Sequence, residues 1–316
     1  LLLAHTEIIN HIRKTMPLTK QYYQEFFAPD VGFNYTKYLA VFGKKPTQQA
    51  DYEISTREQQ KAYQKNIRAY TEIVCRDFNA EIIPCGRAFD IARENPLCGK
   101  MCGRLAVNNG EGDYYHDGDI GGGQYLNACV WFETLSGQSC IGNTWRPTSY
   151  SLSEDLVELL QETAHAAVTA RYGEDHYNIV KTDIVGNDGV MNVLLLGSSN
   201  GYYFPDELVE IAWAAGIEMR VVHGYASGLK LGSQMAWIEN GQGDYTVYTY
   251  EHGQGRSAGV VDQSIEDILE CYQWDTITSW QCSTAFDDYG YSETSLQSIL
   301  RSTDLTTLSL LPHSTR

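Results

Sequence analysis

With 316 residues the chain can form one large domain or two smaller ones, and it is long enough to bury a proper core. Its 43% hydrophobic and 20% charged residues are ordinary for a soluble globular protein, and no apolar run reaches the roughly 18 residues that a membrane-spanning helix needs. The formal charge of −17 argues against nucleic acid or an anionic membrane as partner, since both require a basic face to release counterions. The opening "LLLAHTEIINHIRK" has too short an apolar block for a signal peptide and no basic stretch before it. It starts on leucine rather than methionine, so the expectation is a soluble chain with an export signal upstream left open.

In chain order, "STREQQKAYQKNIRAYTEIVCRDF" (55–78) has a helical apolar period, "AEIIPCG" (80–86) reads as a short buried strand, and "RAFDIAREN" starts a further helix. "YLNACVWFETLSG" (125–137) reads as a helix closed by Gly137. "SLSEDLVELLQETAHAAVTARYG" (151–173) reads as an amphipathic helix with a capping box from Ser151 and Glu154 and with Gly173 after its last turn. Residues 173–189 are polar and are expected to be a linker. Then come the strand "MNVLLLG", the helix "PDELVEIAWAAG" with Pro205 in its first turn and Gly216 past its end, and the strand "IEMRVVHG". "DYTVYTYEHG" alternates with the period of a strand, "DQSIEDILECYQ" reads as a helix, and "WDTITSWQCS" (274–283) as a last strand whose end turns polar. Alternating helices and strands specify an α/β layer fold with a largely parallel sheet.

The cysteines stand at 75, 85, 98, 102, 129, 140, 271 and 282. The only close pair, Cys98 and Cys102, has a C-x-x-x-C spacing with no second pair, which matches no structural zinc pattern. Several lie in apolar text such as "NACVWF", so the reading is reduced, buried thiols without a metal.

Ligands of open α/β sheets gather beyond the carboxyl ends of the strands. Three strand ends in the second half carry small or polar residues: "GSSN" (197–200), "HGYASG" (223–228) and "SWQCS" (279–283). A hydroxyl nucleophile needs a base and positioned donors for the developing oxyanion. Ser199 can supply the hydroxyl, Gly228 a backbone N–H and Gln281 a side-chain amide. The base comes from the first half, where "GEGDYYHDGDIGGGQYL" (110–126) sets Asp113 three residues before His116. In a turn, that spacing lets the carboxylate fix the imidazole tautomer and leaves Nε2 free to take the serine proton.

These blocks together resemble the SGNH (GDSL-type) serine hydrolase superfamily, in particular an uncharacterised bacterial branch of it. The resemblance implies a flavodoxin-like three-layer α/β/α sandwich with a mainly parallel sheet. It makes "LLLGSSN" the serine block with Ser199 as nucleophile, and "YASGL" the glycine block with Gly228 as oxyanion donor. "WDTITSWQCS" becomes the amide block with Gln281, and "DYYHDGDIGGGQYLNACVWFETLSGQS" the D-x-x-H block with Asp113 and His116. Ser198 stands where the nearer branch usually has Asn, and Gln281 where Asn is common. The block order is swapped, since His116 precedes Ser199. Residues 1–172 thus resemble the C-terminal half of such a domain and residues 190–316 the N-terminal half, either a piece of a tandem array or a circular permutant whose halves combine into one domain. The implied activity is an esterase or deacetylase acting on a small-molecule or carbohydrate ester, without cofactor or metal.

Other features weigh less. Glu111, Asp113, Asp117 and Asp119 crowd together but depart from the D-x-D-x-D-G calcium loop. His223 and His252 lie at strand ends and receive no role, and Tyr202, Tyr203 and Trp280 stand where they could stack on a sugar, although aromatics at sheet edges more often belong to the core. The competing classes are a non-catalytic carbohydrate-binding pseudo-hydrolase and a flavodoxin-like protein holding an anion on the 197–201 turn.

Overall fold

The computed structural model describes residues 10–14, 19–28, 56–98, 122–178, 188–197, 201–226, 237, 240, 243, 245–271 and 276–279. Their strands are β1 (Lys20–Gln24), β2 (Glu81–Ile83), β3 (Met191–Gly197), β4 (Met219–Tyr225), β5 (Tyr245–Glu251), β6 (Gly255–Arg256), β7 (Val260–Gln263) and β8 (Thr276–Ser279). The helices are α1 (Arg57–Phe78), α2 (Cys85–Ala92), α3 (Gly123–Ser136), α4 (Glu154–Tyr172), α5 (Phe204–Ala214) and α6 (Ile265–Cys271). The class is α/β, as expected from the alternation of periods.

All eight strands join one sheet in the order β2-β1-β8-β3-β4-β5-β6, with β7 also on β5. The pairs β2–β1, β1–β8, β8–β3 and β3–β4 are parallel. From β4 outward the pairing is antiparallel, so the sheet is mixed rather than the mainly parallel one expected. β5, β6 and β7 follow one another through short turns, which antiparallel neighbours permit and parallel ones do not.

β3 occupies an interior place and every residue of "MNVLLLG" is buried, as a strand covered on both faces should be. Its Val193 and Leu195, with Val221 of β4, Tyr22 of β1 and Ile83 of β2, share a core with α2, α3, α4 and α5. On the opposite face Tyr23 and Ile82 pack with Tyr70, Val74 and Cys75 of α1. α6 reaches that same face, and there β4 carries Gly224: an added Cβ would lie 2.8 Å from Leu196 and 3.1 Å from Ile268.

α3 is buried along its whole length and ends on Gly137, in the left-handed region at φ 62°. Its buried Glu133 carboxylate accepts from the Cys140 N–H at 2.7 Å, from the Tyr177 hydroxyl, and from His165 Nδ1 of α4 at 3.2 Å. Without such donors a buried carboxylate would be strongly unfavourable, so this cluster fixes α3 to α4. It also draws in the start of the expected linker. Residues Glu174–Asn178 form a 3₁₀ turn from which Tyr177 and His176 bond to Glu133, although the text there is polar.

The N-cap of α4 is Ser153, whose hydroxyl accepts from the Leu156 N–H, rather than the Ser151–Glu154 box expected. α1 does carry a capping box, from Thr56 and Gln59. Cys75, Cys85, Cys98, Cys129 and Cys140 are free and buried, which agrees with the reading of reduced core thiols at these positions. Among the described residues, no helix is long and apolar enough to cross a membrane.

Two predictions test this packing. Gly86, at the start of α2, donates its N–H to the Glu25 carbonyl at 2.9 Å, and an added Cβ would stand 2.2 Å from the Phe26 carbonyl oxygen. Gly86→Ala should therefore cost about 3 kcal/mol in urea unfolding, at the upper end of overpacking effects; a loss below ~0.5 kcal/mol would refute so tight an approach. Glu207 in the first turn of α5 is buried, and burial raises its pKa to about 8 against the opposing effect of the Tyr150 hydroxyl that donates to it. The folded chain thus keeps a proton that the unfolded chain releases between pH ~4.5 and 8, so this group makes stability fall as pH rises through that window. Glu207→Gln should melt with a visibly smaller drop in Tm from pH 5 to pH 8 than the parent chain; equal drops would contradict a protonated Glu207.

Candidate functional site at the carboxyl edge of the sheet

Parallel pairing aligns the carboxyl ends of β2, β1, β8, β3 and β4 along one edge. β3 lies between β8 and β4, and their last residues are Gly197, Ser279 and Tyr225. The Ala226 N–H donates to the Gly197 carbonyl at 3.1 Å, so β3 and β4 stay tied to the point where the serine block begins. Five sequence-predicted residues, Ser199, Asp113, His116, Gly228 and Gln281, lie outside the described residues, as do Trp280 and the acidic loop of Glu111, Asp117 and Asp119. The described strands lead directly to three of them: Ser199 is two residues past β3, Gln281 two past β8, and Gly228 three past β4.

On the β1 side the edge is polar, and part of it is hydrogen-bonded while Gln21 and Gln24 Nε2 are buried without partners. Gln24 accepts from the Trp131 indole N–H at 2.9 Å. Glu25 receives Gln64 and Arg68, each at 3.0 Å, and burial, offset by Arg68, raises its pKa. These groups hold α1 and α3 to the end of β1.

The β4 side differs. Tyr225 closes β4, Tyr248 lies on β5 directly opposite His223, and Tyr202 lies just ahead of α5. The three tyrosine rings stand 5.2–5.9 Å apart, in tilted and edge-on arrangements that suit ring quadrupoles. The Arg256 guanidinium of β6 stacks on Tyr202 at 3.9 Å and lies 5.6 Å from Tyr248. Tyr250, paired with Arg256 across β5 and β6, donates its hydroxyl to the Tyr202 carbonyl at 2.8 Å.

Three polar groups belong to this cluster. His223 is fully buried, and burial followed by the Arg256 charge lowers its pKa to about 3 against the opposing pull of the Gly197 carbonyl, so it is neutral. Asp206 in the first turn of α5 has an unpartnered Oδ1, and burial raises its pKa to about 6 against the pull of Arg256. Arg256 has no carboxylate within ion-pair distance among the described residues, whereas Arg57, Arg68, Arg146, Arg171 and Arg220 all do. His252, the other strand-end histidine, is by contrast engaged: it binds Glu210 at 2.8 Å and stacks on Trp213.

Sequence reading singled out Tyr202 but gave His223 no role and passed over Tyr225, Tyr248, Asp206 and Arg256. The period-two pattern of β5 was the available signal for Tyr248, whereas the guanidinium stack joins residues 54 apart in sequence and leaves no local trace. No group of three His, Cys, Asp or Glu among the described residues could hold a metal ion.

No family model matches the chain, and no curated protein matches it. Among solved structures, it is similar to a DUF4886 family protein from Bacteroides uniformis, with 25% identity and a TM-score of 0.28. The match covers 36% of this chain and spans 45% of that one, less than half its length.

Proposed function

We propose that the chain is a serine esterase of SGNH-like, flavodoxin-type architecture that removes an acyl group from a carbohydrate-like ester. Ser199 attacks the ester carbonyl, His116 takes the serine proton and returns it to the leaving alcohol, and Asp113 orients His116. The Gly228 N–H and the Gln281 amide hold the oxyanion. Such donors act because they are fixed before charge develops.

The observation that supports this reading best is the order of the parallel strands. Counted from β3 as first, the neighbours β4-β3-β8-β1-β2 are second, first, third, fourth and fifth: the 2-1-3-4-5 order of a flavodoxin-like sheet. Each proposed block in residues 190–316 follows the carboxyl end of one of the first three strands in that count, with the serine strand between its two neighbours. Reading from β3 is what a circular permutation requires, and the backbone pairing of β1 with β8 supports one domain drawn from both halves rather than a fragment of an array.

The tyrosine cluster would serve a non-catalytic carbohydrate-binding descendant of such an enzyme equally well, so the deciding experiment is chemical. The chain should hydrolyse p-nitrophenyl acetate, and Ser199→Ala should lower kcat by at least about a thousandfold, as loss of an activated nucleophile does. Equal rates for the two would leave only the binding reading. If His116 is the base, kcat/KM should rise with pH through a neutral-histidine pKa near 6.5, because only unprotonated imidazole accepts a proton; a flat profile from pH 5 to 8 would point to another base.

A further inference from the structure

Two of the buried thiols, Cys129 of α3 and Cys140 of the loop that follows it, are neighbours in space as well as near in the chain. We propose that they form a modification site: a dithiol that closes to a disulfide when the chain folds under oxidising conditions, latching that loop onto α3. The proposal is independent of the esterase reading.

Tyr125, Cys129 and Glu133 recur at four-residue intervals, so they stand one above another on a single face of α3. The chain leaves the helix at Gly137, and Cys140 returns to that face. Its N–H donates to the Glu133 carboxylate at 2.7 Å, and its thiol is in hydrogen-bond contact with the Cys129 thiol one turn further back. The same thiol reaches the Gln161 carbonyl of α4 at 3.6 Å. The Gln161 side chain holds the rest of the loop: it accepts from the Gly142 N–H at 2.9 Å and donates to the Asn143 carbonyl at 3.0 Å and the Tyr125 hydroxyl at 2.8 Å. The backbone on both sides of the pair is thus placed by bonds that do not involve sulfur. A disulfide requires side chains that converge on each other, and two thiols already in contact meet that condition. Cys75, by comparison, turns its thiol to the Glu81 carbonyl at 3.9 Å.

Both cysteines are fully enclosed in the folded chain. Burial, then the neighbouring Cys129 thiol and the Glu133 carboxylate, push the Cys140 thiol well above the usual thiol range. Since the thiolate is the attacking form, the folded dithiol reacts slowly, and the latch closes while the chain is folding. The oxidant is a small-molecule disulfide such as oxidised glutathione. One cysteine thiolate attacks it, forming a mixed disulfide and releasing a glutathione thiolate; the other attacks the protein sulfur, forms the Cys129–Cys140 bond and expels the second glutathione thiolate. The two cysteine protons pass to the two glutathiones, which take up the two electrons. The new bond restricts the unfolded chain. In the folded one it secures the loop of Asn143, whose side-chain amide donates to the Ile211 carbonyl of α5 at 2.9 Å, so the latch also bears on the contact between this loop and α5.

The test is to refold the intact chain from urea in a mixture of reduced and oxidised glutathione, block the remaining thiols with iodoacetamide and map the peptides. A glutamate-specific protease is the right tool, because Glu133 lies between the two cysteines. The expected result is a pair of fragments carrying Cys129 joined to Cys140 and separated by dithiothreitol. The joined chain should melt about 5 °C above its reduced form, the scale of a short disulfide loop in a chain of this size. Cys129→Ser and Cys140→Ser, refolded in the same way, should melt at the same temperature with and without oxidant. The proposal is overturned if both cysteines are recovered alkylated after oxidative refolding, or if either is joined to a different cysteine. It is equally overturned if the joined chain melts no higher than the reduced one, or if the serine variants keep the oxidant-dependent rise. Should a serine variant fail to fold, the linkage map and the melts of the parent chain decide by themselves.

Discussion

The four residues of β8 are the constraint on which the rest depends. Thr276–Ser279 pair with β1 on one side and with β3 on the other, so the backbone hydrogen bonds of this short strand join the part of the sheet built from residues 20–83 to the part built from residues 191–263. Remove it and two interior strands become edges, each with a row of unpaired N–H and C=O groups. β3 would suffer most, since all its side chains are buried and it has no charged residue to protect an open edge. The parallel sense of both pairs then puts the carboxyl ends of strands from distant sequence on one edge. Placing two parts of a chain in one sheet is thus the same event as assembling the candidate site.

The helical layer follows from that edge. Trp131, midway along the wholly buried α3, donates to Gln24 at the end of β1 and packs 4.9 Å from Phe204 at the start of α5. One side chain so ties the ends of two elements to the helix across them. At the other end of α3 the Glu133 carboxylate collects donors from α4, from the following loop and from the 3₁₀ turn. Both are buried polar contacts, of low cost only when fully paired.

How far the sequence could be read depended on whether the deciding partner was near in the chain. β3 was legible because an unbroken apolar run needs no knowledge of its neighbours, and the Gly137 end of α3 because a left-handed cap is local chemistry. β1 was not: "KQYYQ" is polar in text, and Gln24 belongs in the interior only because Trp131, 107 residues on, supplies its hydrogen bond. "EDHYN" looked like linker for the same reason, since Tyr177 is held by Glu133, 44 residues back. Ser151 and Ser153 compete for one helix start, and local spacing favoured the wrong one. The mixed character of the sheet escaped because β5 alternates as any half-buried strand does, whichever way its neighbour runs. For the site, the glycines and serines at strand ends pointed to the edge, but a cluster drawn from Tyr202, Tyr225, Tyr248 and Arg256 exists only after β4, β5 and β6 have paired.

The central claim is that a serine delivered by β3 works with a histidine from the first half of the chain. Labelling with a fluorophosphonate, followed by peptide mass spectrometry, tests it most directly, since the reagent marks only a serine whose hydroxyl is activated. The account predicts one adduct, on the peptide that contains Ser199, with labelling of His116→Ala slowed by about a hundredfold or more. An adduct on another serine, or labelling of Ser199 at the same rate without His116, would contradict it.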